Sequence, residues 1–553
     1  ATRLKQGPFR RPDELRAAWI SALIGGVAAL LLLVVVPRGG DAAAHLYRTF
    51  LVQRGALLWD NLWFAGQYPL ASYSLVYYLL AAAVGNGLLA AVGVVLSALL
   101  FASLVLRAFP RAGRWPAYWF AALAGGQFFT GDYPYTVAFT ALLATLWALQ
   151  RGRTWLGIAC AALTLGCSPL AFLFLCLVLL ALRISSPQPH RRTLIIGASL
   201  LVLVGVEMGS LWLFPSHLSY PFAFWRFILG VSVCLLGAAL ALRSSAARPL
   251  ASIFVIWTFA LVAGYLIPSP VGHNLLRPAT LVFPLMLLAA QLAGRRPRWL
   301  AYPAVAAAFA ANVGPYVATV ISRSDKASRA SFWSPMLHYV AAHSSAGYRL
   351  EVVPTINHWE AYYIPKVGFP IARGWYQQLD SGDNPRLNHG GLTPRVYRDW
   401  LRSVGVRYVI VANATPASGA ANEARLLLSG RSGLVRVFQS RNGRVYELPD
   451  ANPILTGAAS AAITRQSISG IVGWTSQAGP YFLRVHYTRL LQVEQGAVCL
   501  SPGPGGMTRL EARQPGRFAL KAVEGAGAFL ESILDSYGKS SPRCHASQYG
   551  FAG

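Results

Sequence analysis

The chain reads as a polytopic α-helical membrane protein with a C-terminal region of α/β and β-sandwich type. Three observations predict this. Of its 553 residues, 55% are hydrophobic and 12% charged, at a mean hydropathy of +0.45, which no soluble globular class matches. Apolar runs of membrane-spanning length recur up to about residue 322. Only six of the twenty acidic residues stand in that stretch: Asp13, Glu14, Asp41, Asp60, Asp132 and Glu207. A carboxylate near hydrocarbon is costly, so each of these needs a reason.

A spanning helix takes roughly 20 apolar residues. By that measure about eleven spans are expected, near 17–36, 88–106, 115–130, 134–150, 154–167, 169–182, 194–214, 222–242, 250–267, 279–293 and 299–321. Cys167-Ser168-Pro169 interrupts the fifth and sixth, giving two half-depth helices or one kinked helix. The first run follows no small-residue cleavage site and reads as a retained helix. Arg3, Lys5, Arg10, Arg11 and Arg16 precede it and place the N-terminus in the cytoplasm. Alternation then puts Arg107/Arg111/Arg114, Arg151/Arg153, Arg183/Arg191/Arg192, Arg243/Arg248 and Arg295/Arg296/Arg298 on that same side. The formal charge of +28 is therefore topology signalling toward a lipid bilayer, and nucleic-acid binding is not expected. The loops 37–87, 131–133, 215–221 and 268–278 fall outside, with His45, His217 and His273 among them.

Three domains are expected: a transmembrane domain over 1–322, an extracytoplasmic α/β domain over 323–460 and an extracytoplasmic β-sandwich-like or jelly-roll domain over 461–553. Strands are expected at Tyr348–Pro354, Val406–Ala412, Val435–Ser440, Arg444–Leu448, Ser467–Trp474, Tyr481–Thr488, Ala497–Ser501 and Arg517–Val523, with an amphipathic helix at Arg395–Val404. Cys160, Cys167, Cys176 and Cys234 lie in apolar runs and read as core residues. Cys499 and Cys544 lie in the polar region and are the candidate disulfide of an extracytoplasmic domain.

Asp41, His45 and Arg48 are spaced i, i+4, i+7, one face of a helix. Two readings stand. The three could deprotonate a hydroxyl and hold an anion, or Asp41 could simply cap an interfacial helix after two glycines. Trp59, Trp63, Phe64, Tyr68 and Tyr73 form either an interfacial aromatic belt or sugar-stacking platforms. Asp60 is a helix cap or a substrate contact. Asp132, in Gly131-Asp132-Tyr133-Pro134, is turn chemistry or a metal ligand or acceptor contact. Glu207, inside an apolar run, has a local partner or a functional role. His273 and Arg277 sit one helical turn apart at the start of a span, and with Arg226 and Arg48 they are the cations available to a lipid phosphate; snorkelling is the plainer reading. The β-rich region, with Trp474, Tyr481 and Tyr487, is a carbohydrate-binding module or a structural lid.

A long loop with an acid just after the first span resembles the GT-C superfamily of membrane glycosyltransferases. The run Gly40-Asp41…His45…Arg48…Trp59…Phe64…Gly66…Tyr68-Pro69 also resembles membrane proteins labelled 6-pyruvoyl-tetrahydropterin-synthase-related. Ser168-Pro169-Leu170 and Gly368–Tyr376 fit the same group, so the resemblance covers roughly residues 15–450. The Ala/Arg/Gly-rich usage suggests an actinobacterial source. The resemblance implies inverting transfer of a sugar, arabinofuranose or mannose, from a polyprenyl-phosphate donor. The acceptor would be a cell-envelope polysaccharide or glycolipid outside the plasma membrane. Asp41 maps onto the superfamily's catalytic acid and would be the general base. Its lack of an acidic neighbour departs from the paired motif of many members, so Asp60 or Asp132 would supply the second carboxylate. A divalent cation (Mg2+, Mn2+ or Ca2+) on Asp41 and Asp132 is a further expectation, and His45, Asp60, Trp63, Tyr68 and Glu207 are the candidate substrate-binding residues. The rival is a transporter or scaffold for envelope lipids or glycans. No internal repeat supports a transporter, and the ionisable residues crowd one face.

Overall fold

The computed structural model describes residues 12–35, 39–68, 74–110, 112–123, 131–185, 190–213, 222–242, 247–293, 325–375, 377–388, 390–525 and 543–544, with the isolated positions 70, 125, 313, 317 and 527. The expected span 299–321, His217, Tyr73 and the basic clusters before residue 12 and at 295–298 lie outside the described residues. The chain forms two units. One comprises residues 1–45 and 73–323, and the other 46–72 and 324–553. Residues 46–72 therefore fold with the C-terminal part, although they interrupt the apolar stretch.

The first unit is helical. Among the described residues six helices are long and apolar enough to cross a membrane: Pro12–Val34, Asn86–Ala108, Arg191–Trp212, Phe224–Leu242, Arg248–Leu266 and Gly272–Ala290. Two shorter apolar helices, Thr154–Cys167 and Pro169–Ser185, meet at Ser168, whose backbone is extended (φ −159°, ψ 112°). Pro169 cannot continue the preceding helix but suits the first position of the next. The break thus produces two helices, one of 14 and one of 17 residues. Leu23, Leu30 and Val34 stand 64–81% exposed on the first helix, the expected state of lipid-facing side chains. Polar ties lock the interior: Ser97 and Thr140 hydroxyls lie 2.8 Å apart, and Thr140 donates to the Gly93 carbonyl at 3.0 Å.

The second unit begins with a four-stranded sheet. Strands β1 (Arg349–Val352), β2 (Val406–Ala412), β3 (Val435–Gln439) and β4 (Gly443–Glu447) lie in the order β1-β2-β4-β3, with β1 and β2 parallel. Helix Pro394–Ser403 lies between β1 and β2 in the chain. Thr393 accepts from the Val396 N–H (3.3 Å) as its cap, Pro394 sits at the first turn, and Tyr397 and Leu401 turn inward at i, i+4 spacing. Two further sheets follow. One is β13-β10-β11-β8-β5 and the other β6-β7-β12-β9, built from β5 (Leu455–Gly457), β6 (Ala461–Gln466), β7 (Gly470–Thr475), β8 (Gly479–His486), β9 (Leu491–Gln495), β10 (Val498–Pro502), β11 (Met507–Ala512), β12 (Gly516–Ala522) and β13 (Arg543–Cys544). Cys499 is disulfide-bonded, and Cys544 is its register partner across β10 and β13.

Candidate active site

The first unit gathers its sparse charge at one place. Asp132 precedes helix Tyr133–Gln150 but makes no side-chain cap bond; its carboxylate pairs with Arg277 instead. Arg277 lies in the helix Leu276–Leu281. Its Nε donates to Asn274 Oδ1 at 3.0 Å, and its guanidinium stands 4.8 Å from the centre of the Tyr135 ring. Three different groups thus orient one cation. The Asp132 side chain is 7% exposed and that of Arg277 26%, so the pair is reachable from one side.

His45 completes the cluster. Its Nδ1 lies 2.7 Å from the Tyr78 hydroxyl and its Nε2 4.0 Å from Asp132 Oδ1. The rings of Tyr77, Tyr78 and Tyr133 surround the imidazole at centroid distances of 6.0–6.4 Å. Tyr77 donates to Asn86 Oδ1 at 2.6 Å, which fixes the helix that carries both tyrosines.

Asp41 stands immediately before helix Ala42–Gln53 and is half-buried. Its carbonyl accepts from the His45 N–H at 3.3 Å. Gly131 explains how Asp132 comes to this helix end. Its φ is +80°, and a Cβ there would lie 2.5 Å from the Ala42 nitrogen, so no larger residue permits the approach. Arg277 accordingly feels both Asp132 and Asp41. Two carboxylates and an imidazole around one arginine can take a proton and hold an anion.

The other residues singled out from sequence lie elsewhere. His273 is in the short turn Gly272–Leu275 that leads to Arg277. Arg226 stacks over Trp225 at 5.1 Å. Glu207 has no hydrogen-bond or ion-pair partner among the described residues, on a helix exposed along its length. Arg48 belongs to the second unit, where it is buried and donates to the Leu70 carbonyl. Asp60, also in the second unit, accepts from Tyr47 Oη (3.0 Å) and the Leu62 N–H (2.9 Å); burial nevertheless pushes its pKa up to about 7. Trp63 stacks on Tyr47 at 4.5 Å and donates to the Ala361 carbonyl at 3.0 Å, so it is a packing element of that unit. Tyr68 and Gln67 both donate to Asp383, Gln67 at 2.9 Å.

Sequence reasoning missed Tyr77, Tyr78, Tyr135 and Asn274. The available signal was a pair of tyrosines in an apolar helix, because a buried hydroxyl there needs a partner. Among the described residues no group of three or more His, Cys, Asp or Glu is arranged to hold a metal. Asp132 is paired with the Arg277 guanidinium, whose charge repels a cation at that carboxylate.

No family model and no curated protein matches the chain. Among the solved structures similar to it is the arabinosyltransferase EmbB from Mycobacterium smegmatis, at 14% identity and a TM-score of 0.37, covering 95% of this chain. The chain spans 64% of the length of that protein.

Proposed function

We propose that the chain is a membrane glycosyltransferase of GT-C type. It moves a sugar, arabinofuranose or mannose, from a polyprenyl phosphate to a cell-envelope polysaccharide or glycolipid on the extracytoplasmic face. The observation that supports this best is the convergence of Asp41, His45, Asp132 and Arg277 in a unit that has almost no other carboxylates. Asp41 is the base in this reading. It takes the proton of the acceptor hydroxyl as that oxygen attacks the anomeric carbon from the face opposite the phosphate. The bond from the anomeric carbon to the phosphate oxygen breaks, and the electron pair leaves with the polyprenyl phosphate. Configuration inverts. Arg277, with His273 one turn away, stabilises the charge growing on that phosphate; a preoriented cation does this without reorganising. Asp132 is the worse base because its carboxylate is committed to Arg277, and it serves to aim the guanidinium. His45, held by Tyr78, contacts the acceptor.

The direct test offers the purified full chain a panel of radiolabelled polyprenyl-phosphate sugars and cell-envelope acceptors. The expected result is transfer from one donor with inversion. Tight binding of a lipid-linked sugar without transfer from any donor would overturn the enzyme reading in favour of a carrier.

A further inference from the structure

Arg349 opens β1 and is 2% exposed. Its backbone N–H donates to the Gly405 carbonyl at 2.8 Å, and its Nη1 to the Val404 carbonyl at 2.9 Å. Its Nε and Nη2 are buried and have no hydrogen-bond partner among the described residues. No described carboxylate lies within ion-pair distance of it.

A second buried arginine approaches the same turn from the sandwich. Arg484, 8% exposed, donates from Nε to the Arg402 carbonyl (3.2 Å) and from Nη1 to the Pro453 carbonyl (2.8 Å) and Thr456 Oγ1 (2.9 Å). Gly405 makes room for it: φ is +76°, and a Cβ there would meet Ile454 Cγ1 at 3.1 Å and Arg484 Cδ at 3.5 Å. The two arginines thus meet carbonyls at the end of helix Pro394–Ser403, the negative pole of its dipole. That accounts for Arg484 and for one N–H of Arg349. It leaves the other edge of the Arg349 guanidinium unexplained.

That edge has a specific geometry. Nε–H and Nη2–H point side by side in one plane and match two oxygens of a carboxylate or a phosphate. His486, two residues along β8 from Arg484, has its pKa pushed down to about 4 by burial and by the Arg349 charge, with the Asp383 carboxylate acting the other way. A buried guanidinium flanked by a second arginine, with a paired donor edge unused, is complementary to an anion.

We propose that Arg349, with Arg484 and His486 beside it, forms an anion-binding site in the second unit that grips a small oxyanion through two coplanar oxygens. The site is distinct from the Asp132–Arg277 cluster and independent of the activity proposed for it.

The test is equilibrium dialysis of the full chain in detergent against radiolabelled inorganic phosphate, with acetate and chloride as competitors at constant ionic strength. The expected result is saturable binding that acetate or unlabelled phosphate displaces and chloride does not. Arg349→Lys keeps the charge but loses the paired edge, and is expected to weaken binding at least about tenfold. His486→Gln, at a half-buried position, is expected to weaken it a few-fold and guards against misfolding of the lysine variant. Absence of saturable binding to the wild-type chain would overturn the proposal without reference to any variant. So would displacement by chloride as effective as by phosphate, or wild-type affinity in folded Arg349→Lys.

Discussion

The two units each hold an arginine among carboxylates, and they use it in opposite ways. In the second unit Arg373 is 4% exposed and enclosed. Its Nε donates to Glu351 Oε1 at 3.0 Å and its Nη2 to Glu351 and to Glu423 Oε2, each at 2.5 Å; Asp380 lies 3.7 Å away. Tyr397 then closes the set by donating to Glu423 Oε1 at 2.7 Å. Burial raises the Glu351 pKa while the attraction of Arg373 lowers it, so the carboxylate depends on that guanidinium to stay ionised. In the first unit Arg277 is 26% exposed and attends Asp132 and Asp41 beside an imidazole. The charge pattern is the same, but solvent access differs. A sealed network fixes a fold, whereas an open one can exchange a partner for a ligand.

The comparison can be broken by substitution. Arg373→Met leaves three carboxylates without their cation and is expected to cost about 3–5 kcal/mol, read as a lower urea midpoint by tryptophan fluorescence. Arg277→Gln leaves one carboxylate, Asp132, without its cation and is expected to cost less than Arg373→Met by the same measurement, while sugar transfer falls about a hundredfold. Equal losses of stability in the two variants would remove the distinction. The pH dependence sharpens it. Asp60 has a folded pKa raised to about 7, so between about pH 5 and 7 the folded state keeps a proton that the unfolded chain has released. Its contribution is complete below the ordinary carboxylate range and is lost as pH rises through 7. The stability of the second unit should therefore decline by up to about 1.4 kcal/mol per pH unit over that range, and Asp60→Asn should make the slope shallower. The smallest effect belongs to Tyr78→Phe, which removes the hydroxyl beside His45 Nδ1; about 1 kcal/mol or less is expected, with a several-fold loss of transfer.

Local signals carried most of the fold. The strand expected at Val406–Ala412 occurs with those bounds, and the helix expected at Arg395–Val404 occurs at Pro394–Ser403. Alternating β-branched residues and a Thr-Pro start are read within a few positions. The run expected at Ser467–Trp474 covers the turn after β6 and all of β7 but its last residue; Ser467 donates from its N–H and its hydroxyl to the Gly470 carbonyl in that turn. Strands β5, β6, β9, β11 and β13 have no counterpart among the expected runs, because each draws its stability from sheet neighbours rather than its own pattern. The placement of 46–72 in the second unit was hidden by contiguity with apolar runs, although Trp59, Asp60, Asn61 and Trp63 are poor company for hydrocarbon. The site was half legible. Asp41, His45, Asp132 and Arg277 all stood out as sparse ionisable groups. That Asp132 meets Arg277 across 145 positions, and reaches Asp41 through Gly131, depends on helix packing that periodicity does not encode.

The proposed chemistry rests on Asp41, and Asp41→Asn tests it most directly because the change is nearly isosteric. Single-turnover transfer from the donor found active should fall by about a thousandfold or more in the folded variant, while binding of the polyprenyl-phosphate sugar stays within a few-fold of wild type. Transfer at the wild-type rate by Asp41→Asn would contradict the account and remove Asp41 from the reaction.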